Sequence, residues 1–141
     1  MKKINEVSRI AGVSKRTLQY YDDEGIISIE RTTHNHRVYD QQTLEQIWQI
    51  LIYKEMGFKL SEIKYLLNLS EEQKEQYIKS QIKRIEDNIL IKEIELKFIS
   101  LVQNGDFPMR PEEGCEKTYM MRIEEMRENI KKKLSISVNI L

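Results

Sequence analysis

Two adjacent cations at the predicted start of a helix are the residues of this chain best suited to binding chemistry. Gly12 suits the left-handed backbone that ends a helix, and Ser14 can cap the next helix through its hydroxyl. Lys15 and Arg16 then open that second helix. Because a cation is unfavourable beside the positive end of a helix dipole, the pair indicates contact with an external anion. The pattern predicts a helix-turn-helix whose second helix enters the major groove of DNA.

The residues around this pair predict the elements that position it. A first helix is expected at about residues 6–11, with Asn5 as its cap, and a second at about residues 15–24. The acidic run 22–24 is interpreted as a helix end and solvated surface. Residues 26–39 alternate apolar and polar around a polar tip, which is typical of a β-hairpin. Since a lone hairpin is barely stable, it must pack against the helices, as in a winged helix.

Two further helices are expected to complete a small domain over residues 1–70. Asp40 is the predicted cap of a helix at about residues 41–56, and Ser61 is the predicted cap of a short one after it. The apolar stripe of the longer helix consists of Leu44, Ile47, Trp48, Leu51 and Ile52. A core of this size is marginal, so association with another chain would add stability.

The longest predicted helix has the spacing of a coiled coil. Ser70 and Gln73 form a capping box at its start, and it extends to about residue 102. Apolar residues recur along it in alternating four- and three-residue steps, interrupted at Lys92. The predicted dimerisation residues are Ile78, Ile82, Ile85, Ile89, Leu96 and Ile99. We therefore expect residues 71–103 to be a coiled-coil dimerisation helix and the chain to form a homodimer.

The remaining residues, 104–141, predict a short C-terminal effector or packing region. Pro108 and Pro111 indicate an irregular link, followed by a helix at about residues 116–134. Residues 135–141 alternate apolar and polar, which fits either a strand or a frayed end. A group of apolar side chains near the start of the helix either packs or lines a pocket for an apolar ligand: Tyr119, Met120, Met121 and Met126.

Composition excludes several classes of function. The 141 residues carry 23 basic and 23 acidic side chains, but five of the first sixteen residues are basic and only one is acidic. A local basic face can therefore bind phosphate on a neutral molecule. No signal peptide or membrane span is apparent, so a cytoplasmic protein is expected. The sequence shows neither a nucleophile with a nearby base nor a phosphate-binding glycine loop. An enzyme is therefore not indicated, and no cofactor is expected.

Metal binding is also not expected. Cys115, His34 and His36 are the only soft ligands, and the two histidines are about eighty residues from the thiol in sequence. One thiol and two imidazoles on a predicted hairpin do not form a ligand set. Oxidation of Cys115 would need a lowered thiol pKa, which Glu113 and Glu116 beside it oppose.

The order of motifs over the first seventy residues resembles the MerR family of transcriptional regulators. The residues that carry the resemblance are Gly12-Val13-Ser14, Arg16-Thr17-Leu18-Gln19-Tyr20-Tyr21, Gly25-Ile26-Ile27, Arg31, Arg37-Val38-Tyr39 and Met56-Gly57-Phe58-Lys59-Leu60-Ser61-Glu62-Ile63. Three positions depart from the family pattern. Gln19 replaces a usual Arg, His36 replaces a common aromatic, and residues 29–30 lack a frequent Pro.

The resemblance implies which residues contact DNA. Tyr20 matches a position that hydrogen-bonds a phosphate, and Lys54 matches a basic position of a second wing. Arg31 and Arg37 would hold the DNA backbone or minor groove beside the hairpin. The DNA-binding residues expected in this way are Ser14, Lys15, Arg16, Thr17, Gln19, Tyr20, Arg31, Arg37, Tyr39 and Lys54.

The resemblance also implies partners and a mechanism. A homodimer with an antiparallel coiled coil would bind a pseudo-palindromic spacer in double-stranded promoter DNA and distort it, so that RNA polymerase engages both promoter elements. A small-molecule effector would shift the balance between two dimer geometries, and its identity stays open. The alternatives are an architectural or excisionase-like DNA-binding protein, and a module that captures another regulator through its coiled coil.

Overall fold

The chain divides into two units, Met1–Tyr77 and Ile78–Leu141, in a computed structural model that describes the backbone of residues 1–140 and the side chains of residues 1–135. The helices are α1 (Ile4–Ala11), α2 (Lys15–Asp23), α3 (Gln41–Glu55), α4 (Leu60–Leu67), α5 (Glu71–Gln103) and α6 (Tyr119–Ile140). The strands are β1 (Lys2–Lys3), β2 (Glu30–Arg31) and β3 (Arg37–Tyr39). This mainly helical winged helix-turn-helix, followed by a long helix, confirms the predicted fold class.

The small sheet has one strand more than the sequence predicted. Its order is β1-β3-β2, and both pairings are antiparallel, with Arg31 opposite Arg37 and Lys2 opposite Tyr39. The hairpin of β2 and β3, called the wing here (residues 30–39), confirms the expected hairpin in a shorter form. Strand β1 was missed because two residues are too few to show a period, and their partner lies more than thirty residues away.

Hydrogen bonds fix the turn between α1 and α2. Gly12 has φ +69°, and its N–H donates to the carbonyl of Ser8 at 2.9 Å. The hydroxyl of Ser8 donates to the carbonyl of Val13 at 2.6 Å. Ser14 then caps α2, because its Oγ accepts from the N–H of Thr17 at 3.1 Å. The predicted roles of Gly12 and Ser14 in this turn are confirmed.

Two other predicted caps are confirmed and two are wrong. Asp40 accepts from the N–H of Thr43 at 2.8 Å, which lowers the pKa of its carboxyl below the ordinary value. Ser70 and Gln73 satisfy each other's backbone N–H groups, as a capping box does. Asn5 and Ser61 are not caps, because each lies one residue inside its helix. At the start of α4 the side chain of Glu62 instead accepts from a backbone N–H, at 3.1 Å.

The core of the first unit lies between the four helices and the sheet. Its buried apolar residues are Val7, Leu18, Tyr21, Ile26, Ile27, Tyr39, Ile47, Ile50, Phe58, Ile63 and Leu66. On α3 the predicted stripe is partly wrong, since Trp48 is 60% exposed and Ile50 is fully buried. The inner face of α3 includes Thr43, whose hydroxyl lies 3.0 Å from the carbonyl of Ser28. The buried residues of α3 are thus Thr43, Ile47 and Ile50, a face that differs from the stripe suggested by the sequence, and the one polar residue among them is hydrogen-bonded.

Within the first unit, an aromatic cluster packs the start of α5 against α4 and the residues before it. The ring of Tyr77 lies 5.7 Å from that of Phe58 and 5.6 Å from that of Tyr65, between centroids. The phenol of Tyr77 donates to Glu62 at 3.3 Å. These contacts fix the first residues of the long helix against α4.

The second unit contains the rest of α5, a link and α6. The long helix ends at Gln103, and Asn104 and Gly105 close it as predicted, with Gly105 at φ +79°. The backbone of α6 is helical to Ile140, so the suggestion of a strand over residues 135–141 is wrong; the side chains of residues 136–140 and all of Leu141 lie outside the described part of the chain. Among the described helices none is both long and apolar enough to cross a membrane.

Candidate nucleic-acid interface

Helix α2 presents its cations to solvent while its other face is buried. Leu18 is fully buried and Tyr21 is 1% exposed, which fixes the rotation of the helix about its own axis. Lys15 and Arg16 therefore lie on the outer surface, at the capped end of the helix. Among the side chains of residues 1–135, neither Lys15 nor Arg16 has an ion-pair or hydrogen-bond partner. Two unpaired cations at the N-terminal end of a helix form a surface that suits a polyanion.

Six of the ten predicted DNA-binding residues line one shallow depression. It has a volume of about 550 Å³, and its rim joins α2 to the C-terminal part of α3. The predicted residues in it are Ser14, Arg16, Thr17, Gln19, Tyr20 and Lys54. Tyr20 is 50% exposed, so its phenol is available to donate to a phosphate, whereas Tyr21 beside it is core. The expected division of roles between the two tyrosines agrees with this geometry.

An ion-pair cluster ties the wing to the C-terminal end of α2. The Nε of Arg37 lies 2.8 Å from the Oδ2 of Asp22, and its second guanidinium nitrogen lies 3.5 Å from Asp23. Arg31 reaches the same Asp22 oxygen at 3.5 Å. The side chains of Arg37 and Asp22 are only 20% and 19% exposed, and their hydrogen bond raises the pKa of the Arg37 guanidinium. Asp22 thus holds the wing at a fixed position beside α2.

This cluster corrects the interpretation of residues 22–24 as solvated surface at Asp22 alone, since Asp23 is 67% exposed and Glu24 is exposed at the end of α2, as predicted. Asp22 positions the wing. It also neutralises positive charge on Arg31 and Arg37, which the sequence analysis expected to contact DNA. Asp22 precedes the wing arginines by nine and fifteen residues. Residues this far apart in sequence are not brought together by the repeat of a helix or a strand. The one signal that could have suggested the pairing is an acidic residue at the end of a helix, followed by a hairpin with basic residues.

The prediction that Tyr39 contacts DNA is wrong. Its side chain is fully buried in the core, and burial raises the pKa of its hydroxyl. Tyr39 lies on the central strand β3, opposite β1, so its ring packs inward where a surface residue was expected. The motif that contains it was read correctly as part of the wing, but the residue stabilises the fold rather than binding a ligand.

The described residues show no metal centre. No group of three or more histidine, cysteine or acidic side chains lies close enough together in residues 1–135 to hold an ion. Cys115 is a free, exposed thiol, and both histidines are exposed in the wing.

Comparisons with known proteins assign this arrangement to a family. The family model "MerR HTH family regulatory protein" matches residues 2–70. The transcriptional activator TipA of Streptomyces coelicolor is 42% identical over 66 residues, which are 46% of this chain and 26% of TipA. The structure of the N-terminal part of the multidrug transporter activator Mta of Bacillus subtilis aligns with 29% identity and a TM-score of 0.68, over 73% of this chain and 98% of that one. Through residues 2–70 the chain belongs to the MerR family.

A third comparison extends the similarity in fold. HiNmlR, a MerR family regulator that lacks a sensor domain and was crystallised on promoter DNA, aligns with 18% identity and a TM-score of 0.51 over 75% of this chain. The matched part of this chain spans about a quarter of the length of TipA. MerR family membership therefore rests on the winged helix-turn-helix, and the individual DNA contacts stay predictions.

The Asp22 cluster gives a first test, since its two arginines differ in geometry. A double-mutant cycle with Arg37→Gln and Asp22→Asn should give a coupling energy of at least about 1 kcal/mol, because the bond is short and half-buried. The matched cycle with Arg31→Gln and Asp22→Asn should give about 0.2–1 kcal/mol, because Arg31 is more exposed and more distant. Urea denaturation at constant protein concentration measures both. Equal coupling for the two arginines would contradict the proposed positioning of the wing.

Proposed function

We propose that the chain is a sequence-specific, DNA-binding transcriptional regulator of MerR type that acts as a homodimer on a pseudo-palindromic promoter spacer. The observation that carries the proposal is the outward, unpaired basic start of α2 on a helix whose opposite face is buried. It is supported by the named role of TipA as a transcriptional activator and by the presence of HiNmlR on promoter DNA.

The geometry suggests a division of labour among the contacting residues. Arg16 and Gln19 lie on the outer face of α2 and would reach base edges in the major groove. Tyr20 and Lys54, on the rim of the same depression, would hold phosphates and so position the helix without reading sequence. On the wing, Arg31 is the exposed cation and would contact the backbone, whereas Arg37 is committed to Asp22 and acts by positioning.

Dimerisation is proposed from an apolar row on α5. The row comprises Ile82, Ile85, Ile89, Leu96 and Ile99, which are between 41% and 63% exposed in the single chain, and the part-buried Ile78. A row of exposed isoleucines and leucine along a helix at coiled-coil spacing is a surface that a soluble protein covers by association. A twofold pair of chains would bring two copies of α2 to one face of a duplex.

The proposed regulatory step is the one that the resemblance to MerR regulators implies. Two recognition helices bound to one spacer would bend and untwist it, which lets RNA polymerase engage both promoter elements. Smooth bending of a site of this length costs about 1–6 kcal/mol, and contacts from the wing and from Lys54 to phosphates would offset that cost. Protection of a single promoter spacer in footprinting supports this role, whereas protection distributed along the DNA would support an architectural protein.

Substitution of Arg16 tests the DNA contact. Arg16→Ala should weaken binding to a fragment from immediately upstream of the gene by about 1–3 kcal/mol, since a base-contacting side chain is lost. Its exposed position predicts an unchanged melting temperature. Lys83→Ala, which removes a cation from the exposed surface of α5, is the matched control and should bind as the unsubstituted protein does. Fluorescence anisotropy at several salt concentrations measures the affinity; equal affinity of all three proteins would refute the contact.

Substitution of Ile85 tests the dimer. Ile85→Asp places a charge in the apolar row and should convert the dimer to a monomer, because an unpaired charge cannot be buried between helices. Lys83→Asp introduces an acidic side chain at a residue that is 79% exposed and lies outside the row, and should leave the dimer intact. Sedimentation equilibrium at micromolar concentration separates these outcomes. A monomeric unsubstituted protein, or a dimeric Ile85→Asp variant, would rule out association through this row.

A further inference from the structure

An apolar cavity in the second unit has no role in the DNA contacts. It has a volume of about 280 Å³ and lies between the end of α5, the link and the first turns of α6. Its lining includes Phe98 and Val102 of α5, Phe107 of the link, and Ile123 and Met126 of α6. It is open to solvent, since Phe107 is 74% exposed and Val102 is 52% exposed. Pockets for small organic molecules begin at about this size and have mostly apolar linings. Of the residues proposed from the sequence to line a pocket, Tyr119 and Met126 do so, whereas Met120 and Met121 do not line it.

Two arginines give this cavity a definite charge. Arg110 and Arg122 belong to its lining, and none of its described lining residues is acidic. The guanidinium of Arg110 donates to the phenol of Tyr119 at 3.1 Å, which is a hydrogen bond and not an ion pair. Arg122 lies 3.9 Å from Glu125, which is a distant contact. Glu125 makes a closer pair with Lys117 at 2.8 Å, and this hydrogen bond lowers the pKa of Glu125.

The prolines of the link restrict the backbone on both sides of one of these arginines, since Arg110 lies between Pro108 and Pro111. Its side chain is exposed, and its guanidinium donates the hydrogen bond to Tyr119. The planar fork of a guanidinium matches a carboxylate. The apolar lining can cover part of a hydrocarbon, and the two arginines favour an anionic group over a cationic one.

We propose that this cavity binds an apolar monocarboxylate, either an aryl acid or a medium-chain aliphatic acid. Its hydrocarbon part packs against Phe98, Phe107 and Met126, and its carboxylate pairs with Arg110 and Arg122. The small volume selects ligands of about ten carbon atoms over drug-sized molecules. This inference goes beyond the proposed function, because binding depends on the second unit and needs no DNA.

Calorimetric titration of the full chain without DNA tests the proposal. The probes are 1-naphthoate and octanoate, with 1-naphthylmethanol and 1-naphthylmethylamine as neutral and cationic analogues of the first. Both carboxylates should bind, and the alcohol and the amine should bind at least about tenfold more weakly. Binding of only one of the two acids identifies which hydrocarbon the cavity prefers and still supports a carboxylate site.

Matched variants locate the site. Arg110→Gln and Arg122→Gln should each weaken binding of the carboxylates by about tenfold and leave that of the alcohol unchanged, because only the charge is lost. Arg127→Gln is the control, since Arg127 lies on the same helix, pairs with Glu124 and does not line the cavity. The circular dichroism of each variant confirms that it is folded.

Two outcomes would overturn the proposal. The first is no heat of binding with either acid at millimolar concentration, and the second is equal affinity for the amine. If neither acid binds and the Arg110→Gln and Arg122→Gln variants also dissociate the dimer in sedimentation, the cavity is assigned to a second copy of the chain. None of these results affects the test of DNA binding, which uses a different unit and no carboxylate.

Discussion

The burial of one face of α2 is the constraint on which the proposed DNA-reading surface depends. Leu18 and Tyr21 are almost completely removed from solvent, so the helix has one allowed rotation against the core. That rotation places Arg16 and Gln19 outward, on the surface that also includes Tyr20 and Lys54. The cap by Ser14 fixes where the helix begins, and therefore where its first cations lie. The hydrophobic core and the cationic surface are two consequences of the same helical period.

The wing depends on this helix through electrostatics. Asp22 extends from the last turn of α2 to Arg37, and both side chains are largely shielded from water. The ion pair fixes the wing against α2. The wing needs this contact because a two-stranded hairpin of this length is not stable alone. It also removes positive charge from the wing. Of the cations predicted to contact DNA, those outside this cluster are Lys15 and Arg16 at the start of α2 and Lys54 on α3.

Local signals explain most of what could be predicted from the sequence. Gly12, Ser14, Asp40 and the capping box at Ser70 act within four residues of their partners, so their roles could be read directly. The long helix was likewise evident from its period. What could not be predicted depends on contacts between distant residues: the pairing of β1 with β3 and the ion pair between Asp22 and Arg37. Tyr39 shows the limit of motif reading, because a family pattern gives a position but does not say which way its side chain points.

The most direct test of the account places a DNA-cleaving group on α2. An iron chelate attached to Gln19→Cys, in a chain whose Cys115 is replaced by serine, generates hydroxyl radicals next to the bound helix. The account predicts two symmetric clusters of cleavage in the upstream DNA, separated by one helical turn of roughly 34–36 Å or a multiple of it. A single cluster, or cleavage spread evenly along the fragment, would contradict a twofold pair of recognition helices in neighbouring major grooves.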